Sequence, residues 1–498
     1  MLKQNRIILI ALGTIFLSSF FCAPIFAQAP KSFSADSVQF LSEMSDYFSS
    51  VKGKEKEGKE FIKEQFKPFW FGGHLSDEKR KFVYATSMAM LQKKLRPYPD
   101  YFNFFSALIN LYTKAKLQEN SIKSWQMSLE KLISKSSAKK LSDFLEASND
   151  IFGMNKLYQS PSVEWFTGTN NFEFSFDSLP KIIFEKTDLF CAVKADTASI
   201  IGTSGIYYPT EKKWVGKGGK VTWKRAGIEE SSVNAELKKY SANVTKSGYE
   251  ADSVVFINKF YFQNPLLGTL DEKAVPDATV ENATYPRFES YSTHFEIKNL
   301  ADGKVDFEGG FSIRGSKFIG SGSTTADAVL YFKWKGKPLV KASSKTFIFK
   351  KEKITSEDAA IVMYLDKDSI FHPSIKMKFE FNTKELSLIR PLEGISKTPY
   401  FNTYHKVDMR VEEINWKLDS AKMDFKTLIG SSIGVADFSS SSYFRSNLFT
   451  ELQGYDDINP LTALKQCAEK LGKTSFTAVE FSELYSTFLT RTSCCPWS

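Results

Sequence analysis

The chain of 498 residues is long enough for about three domains and a sizeable core. With 42% hydrophobic and 25% charged residues it sits near globular averages, which excludes wholesale disorder and a multispanning membrane protein. The formal charge of +9 is dispersed, and Lys-rich stretches such as 52–56 and 345–353 hold interleaved acids or lie in amphipathic strands, so no nucleic-acid partner is expected.

The N-terminus has the layout of a secretory leader. Lys3 and Arg6 precede an almost unbroken apolar run from Ile7 to Phe21, and small residues follow at Ala23, Ala27 and Ala29. Pro30 obstructs cleavage after Ala29, so residues 1–27 are expected to form a signal peptide, leaving Gln28 first. Phe20 and Phe21 are too bulky for a lipoprotein cleavage site at Cys22, and the apolar run is short for a membrane span. Loss of Lys3 and Arg6 lowers the charge from +9 to +7, a balance suited to anionic lipid head groups. The expected location is the periplasm or outer envelope.

Residues 28–160 read as a helical domain. Val38, Leu41, Met44 and Phe48 share one helical face, and Ser76 to Glu78 opens a second helix holding Phe82, Tyr84, Met88 and Leu91. Pro97 and Pro99 break the chain before Asp100, which is expected to cap a segment with Phe104, Phe105, Leu108 and Leu111. Trp125, Leu129, Leu132 and Ile133 precede Phe144 and Leu145 at the same spacing. About five or six helices are implied, as a bundle or a helical-repeat array.

Near Pro161 the period changes from helical to alternating. Residues 161–430 read as an all-β domain of short strands bounded by Gly, Asn, Asp or Pro, among them 172–176, 220–223, 253–257, 329–334 and 376–381. The absence of long helices between them excludes a βαβ layout and leaves a sandwich, jelly roll or solenoid. The fold class is therefore α+β. A Ser run, Ser439 to Ser442, marks a linker over 431–456, and 457–498 reads as a short helical segment. That segment ends on Cys494, Cys495, Pro496 and Trp497 without a cap, which reads as a truncated or frame-shifted end.

Ala-Asp recurs at 195–196, 251–252 and 326–327, each time expected at the mouth of a strand, with Gly202, Gly205, Gly315, Gly320 and Gly322 as corners nearby. Over about residues 185 to 385 this pattern resembles the OstA-like β-jellyroll proteins that bridge lipopolysaccharide across the periplasm. The resemblance implies a lipid or lipopolysaccharide ligand and envelope-protein partners. The helical front end and the Trp- and Gly-rich insertion at 214–223 depart from that family's single-domain form.

Candidate chemistry fails on counting, so no enzyme, cofactor or metal is expected. His74, His294, His372 and His405 are far apart and none has a ligand spacing. Gly430-Ser431-Ser432-Ile433-Gly434 matches a nucleophile elbow, but no His follows it. Gly472-Lys473-Thr474 lacks the upstream glycine of a phosphate loop. Glu229 and Glu230, Glu357 and Asp358, and Glu412 and Glu413 are sequence neighbours, which point to opposite faces of a strand and cannot flank a glycosidic bond. Cys191 reads as a core residue and Cys494 and Cys495 are adjacent, so no disulfide framework is expected.

Two binding modes remain. In the first, inward strand residues such as Ile200, Val254, Phe256, Leu330 and Phe347 line a channel for an elongated apolar ligand, in an exported non-enzymatic scaffold or lipid-binding bridge. In the second, Tyr207, Tyr208, Trp214 and Trp223 form an exposed platform for sugars on a cell-surface glycan-binding protein. Six Asp-(Ser/Thr)-apolar triplets, centred on Ser37, Ser178, Thr197, Ser253, Ser369 and Ser420, resemble acceptors for O-linked glycan on exported proteins.

Overall fold

The computed structural model describes residues 30–498 apart from 116, 351, 391–397, 427–435, 443–445, 447–449, 451–458 and 485–498. The leader, Ser432, Cys494 and Cys495 lie outside the described residues. The chain divides into two units, residues 1–297 with 308–326 and 347–351, and residues 298–307 with 327–346 and 352–498.

In the first unit, helices form where caps and apolar faces coincide. The Asp36 side chain accepts from the Val38 and Gln39 amides at the head of Ser37–Ser49, and Ser76 accepts from the Lys79 amide at the head of Asp77–Gln92. Ser137 caps Ala138–Met154 in the same way, and this helix stops at Asn155 in the left-handed region, φ 55°. Such groups satisfy backbone amides and carbonyls that a helix end leaves without partners. Together with Glu119–Lys135 and the helical runs over 55–71 and 97–115, they make six helical segments among the described residues up to 154.

Asp100 does not open its helix as expected. The run starts at Pro97, and buried Asp100 instead accepts from the Arg96 amide at 2.9 Å and from Ser142 Oγ at 2.5 Å, which ties two helices together. The helical core is aromatic: Phe66 stacks on Phe105 with centroids 4.0 Å apart, and Trp125 Nε1 donates to Ser148 Oγ at 3.0 Å. Burying each such ring contributes roughly 1.5–3 kcal/mol.

Strands follow from Lys156, and the described ladders form a large antiparallel sheet. The architecture is α+β, as the periodicity predicts. Pro180–Val193 pairs with Asp196–Tyr208 through a long bulged hairpin whose register shifts between Phe184 and Leu189. Gly202 takes φ 67° at this bulge, and its amide donates to Asp188 Oδ1 at 2.7 Å. In the second unit Lys353–Leu365 and Asp368–Glu380 make a hairpin of the same kind, shifted between Ser356 and Ile361. Burial alternates along these strands, so each has one inward face.

Two of the three Ala-Asp pairs stand at a strand mouth, at Asp196 and just before Ala328. The third does not. Ala251 and Asp252 lie inside Gly248–Asn258, where Ser253 at φ 55° makes a bulge in mid-strand. Gly205 is a strand residue, not a corner; a Cβ there would lie 2.3 Å from the Trp214 ring. Asp437–Ser440 forms a short strand within the segment whose serines suggest a linker, and Pro460–Leu471 is the helix expected after it. Among the described residues no helix is long and apolar enough to cross a membrane.

Candidate functional site

Four of the five residues expected to meet an apolar ligand lie in the first unit, with exposures of 2% for Ile200 and 0% for Val254, Phe256 and Phe347. Leu330, also fully buried, is an inward residue of Ala328–Trp334 in the second unit. Val254 and Phe256 share one strand and one face.

Phe256 begins an aromatic belt. Its ring stacks on Phe288 at 4.2 Å and 10°, and meets the edge of Trp223 at 5.3 Å and the Phe311 ring at 6.2 Å. Phe311 continues to Phe318, Phe318 to Tyr261 at 5.1 Å, and Tyr261 to Phe349 at 6.0 Å. These rings therefore pack on one another in the interior of this unit and bear few polar atoms. Single rings are visible in the sequence; their adjacency comes from strand pairing between distant segments.

The proposed sugar platform is absent at its expected place. Tyr207, Trp214 and Trp223 are fully buried, and Tyr208 is half-buried. The Trp214 ring lies over Gly205 and the Tyr240 ring over Gly216, so the missing side chains make room for rings inside the sheet. Trp214 Nε1 donates to Tyr240 Oη at 3.1 Å, and Tyr207 Oη donates to the Leu157 carbonyl at 2.6 Å.

A buried charge cluster was not anticipated from the sequence. Arg225 Nη1 donates to Asp196 Oδ2, and Nη2 donates to Glu272 Oε1 and to the Lys273 carbonyl at 2.6 Å. Burial pushes the Glu272 carboxyl up to about 7, with the guanidinium pulling the other way. Burial, followed by the neighbouring Glu272, pushes the Cys191 thiol up to about 12, so it is a poor nucleophile. A cavity of about 220 Å³ opens beside Asp196 and Arg225 and is otherwise lined largely by the chain from Val275 to Tyr285. The cluster joins three sequence-distant segments, which is the role of a structural tie.

The remaining candidates are occupied structurally. His372 is fully buried; its Nε2 donates to the Thr398 carbonyl at 3.1 Å and its Nδ1 accepts from the Ser374 amide at 3.2 Å, while burial lowers its pKa. Glu230 pairs with Lys224 at 3.0 Å and Glu357 with Lys376 at 2.8 Å. Gly472 is the left-handed stop of Pro460–Leu471, and Lys473 pairs with Glu480 at 2.8 Å. Among the described residues no group of three His, Cys, Asp or Glu side chains is placed to hold a metal. Of the triplet hydroxyls, Ser178, Thr197 and Ser253 are exposed, and Ser37, Ser369 and Ser420 are half-buried.

Comparison with protein-family models, with curated proteins and with solved structures finds no match.

Proposed function

We propose that the protein is an exported, non-enzymatic component of the periplasm or outer envelope, a scaffold whose β-rich part serves as a lipid-binding bridge. The observation that carries this reading is the aromatic belt from Trp223 through Phe256, Phe288 and Phe311 to Phe349, a continuous run of buried rings in the interior of the first unit. An elongated acyl chain matches such an interior, since it needs no hydrogen bonds and gains by leaving water. The leader-like N-terminus and modest positive charge agree with work at an envelope. Native mass spectrometry of protein purified from an exporting host tests this. Copurified lipid lost on Phe256→Asp supports it; a ligand-free mass in gentle conditions opposes it.

A further inference from the structure

Every Asp-Ser or Asp-Thr pair in the chain, six in all, is followed by Val, Leu, Ala or Ile, at 36–38, 177–179, 196–198, 252–254, 368–370 and 419–421. Hydrophobic residues are 42% of the chain and aromatics 15%, so six aliphatic residues out of six exceeds chance. The fold does not account for the repetition. Asp36 caps a helix, Asp196 and Asp368 open strands, Asp252 precedes a bulge in mid-strand, and Asp177 and Asp419 lie in hairpin loops. Asp suits each place through its hydrogen bonds, but nothing local requires an aliphatic residue two positions on. Val38 is 70% exposed and Ala421 is exposed, while Ala198 and Val254 are buried, so burial is not the common factor. A triplet repeated without a shared role in the fold points to a reader outside the chain.

At 177–179 the triplet is the entire loop. Phe176 pairs with Pro180 in the ladder of Glu173–Phe176 and Pro180–Val193, so Asp177, Ser178 and Leu179 alone join the two strands. Asp177 and Ser178 are exposed, and Leu179 is half-buried. Ser178 Oγ makes no hydrogen bond among the described residues, while Asp177 pairs with Lys181. An exposed loop tip of this kind accepts a bulky addition without disturbing the ladder. The other triplets are held more closely. Asp196 is 7% exposed and accepts from Arg225 and from the Val275 amide at 2.8 Å. Val254 is fully buried, Ser420 Oγ accepts from the Lys422 amide at 3.0 Å, and Ser37 and Ser369 are half-buried.

We propose that Ser178 carries an O-linked glycan, added by an envelope transferase that reads the Asp-(Ser/Thr)-aliphatic triplet. Ser178 Oγ attacks the anomeric carbon of a sugar carried on a polyprenyl diphosphate. The Oγ–C1 bond forms, the C1–O bond to the diphosphate breaks, and the Oγ proton passes to a base of the transferase, which a weakly nucleophilic hydroxyl needs. Polyprenyl diphosphate is the leaving group. The donor class follows from export, since nucleotide sugars and nucleoside triphosphates stay in the cytoplasm, whereas a polyprenol carries its sugar across the membrane. The same reason weighs against phosphate on this serine. The proposal rests on the export reading but uses none of the buried rings of the lipid-binding reading.

Glycopeptide mapping by electron-transfer fragmentation of the full chain, purified from the envelope of its own cells, tests the proposal. A sugar increment is expected on the peptide holding Ser178, and the Thr197 peptide is expected bare. Ser178→Ala and Asp177→Ala should each abolish the increment in protein that is still exported, and Ser178→Thr should keep it. An exported chain with Ser178 bare, a phosphate-sized increment there, or glycan on Thr197 in its place overturns the proposal alone. A chain kept in the cytoplasm with its leader overturns the export reading as well.

Discussion

Arg225 Nη1 donates to Asp196 Oδ2 at 2.5 Å, across 29 residues of sequence, and the same guanidinium reaches Glu272 on a third segment. Glu272 is 1% exposed, so this carboxylate has exchanged water for one cation. Removing that cation leaves a buried charge uncompensated. Arg225→Ala is expected to lower stability by roughly 3–5 kcal/mol in urea unfolding, and Arg225→Met combined with Glu272→Leu is expected to cost less than Arg225→Ala alone. A loss under about 1 kcal/mol would mean that the cluster is not a structural tie.

Glu272 also predicts a pH dependence. Its folded pKa is raised from 4.5 to about 7, so its contribution to stability is fully present below pH 4.5 and is lost as pH rises through about 7. Glu272→Gln holds the neutral form, and its stability relative to the parent should therefore climb between pH 4.5 and 7. Asp150, raised to about 6 chiefly by burial, acts in the same direction at lower pH, while His372, lowered by burial, acts in the opposite one. Urea midpoints of parent and variant across this range give the difference directly; parallel curves would exclude the shift.

The glycines under the buried rings give a third expectation. A Cβ at Gly216 would sit 2.1 Å from the Tyr240 ring, and Tyr240 holds Trp214 and Thr203 by hydrogen bonds. Gly216→Ala is expected to cost roughly 1–3 kcal/mol through overpacking. Gly336, with no atom within 4 Å of a Cβ but φ 78°, is expected to lose less on the same substitution, through backbone strain alone. Thermal unfolding that ranks the two equally would contradict the packing account.

These cases mark how far the sequence alone leads. The Ser76 opening and the apolar spacing from Val38 depend on local sequence and predict helices that form, while the change of period expected near Pro161 comes five residues after strands begin at Lys156. Ala251 and Asp252 mislead because a bulge and a strand mouth place the same turn chemistry in sequence. Trp214 can be read from the sequence either as a core ring or as part of an exposed platform, and only Gly205 beneath it decides for the core. The Arg225 cluster depends on which distant segments become neighbours, information that no window of adjacent residues holds.

The most direct test of the lipid-bridge account is photo-crosslinking in an exporting cell, with the reactive residue placed at Val254, on the inward face, and separately at Thr197, on the exposed one. The account predicts lipid adducts at Val254 and none at Thr197. Adducts to protein alone at Val254, or equal lipid labelling at both positions, would contradict an inward apolar site.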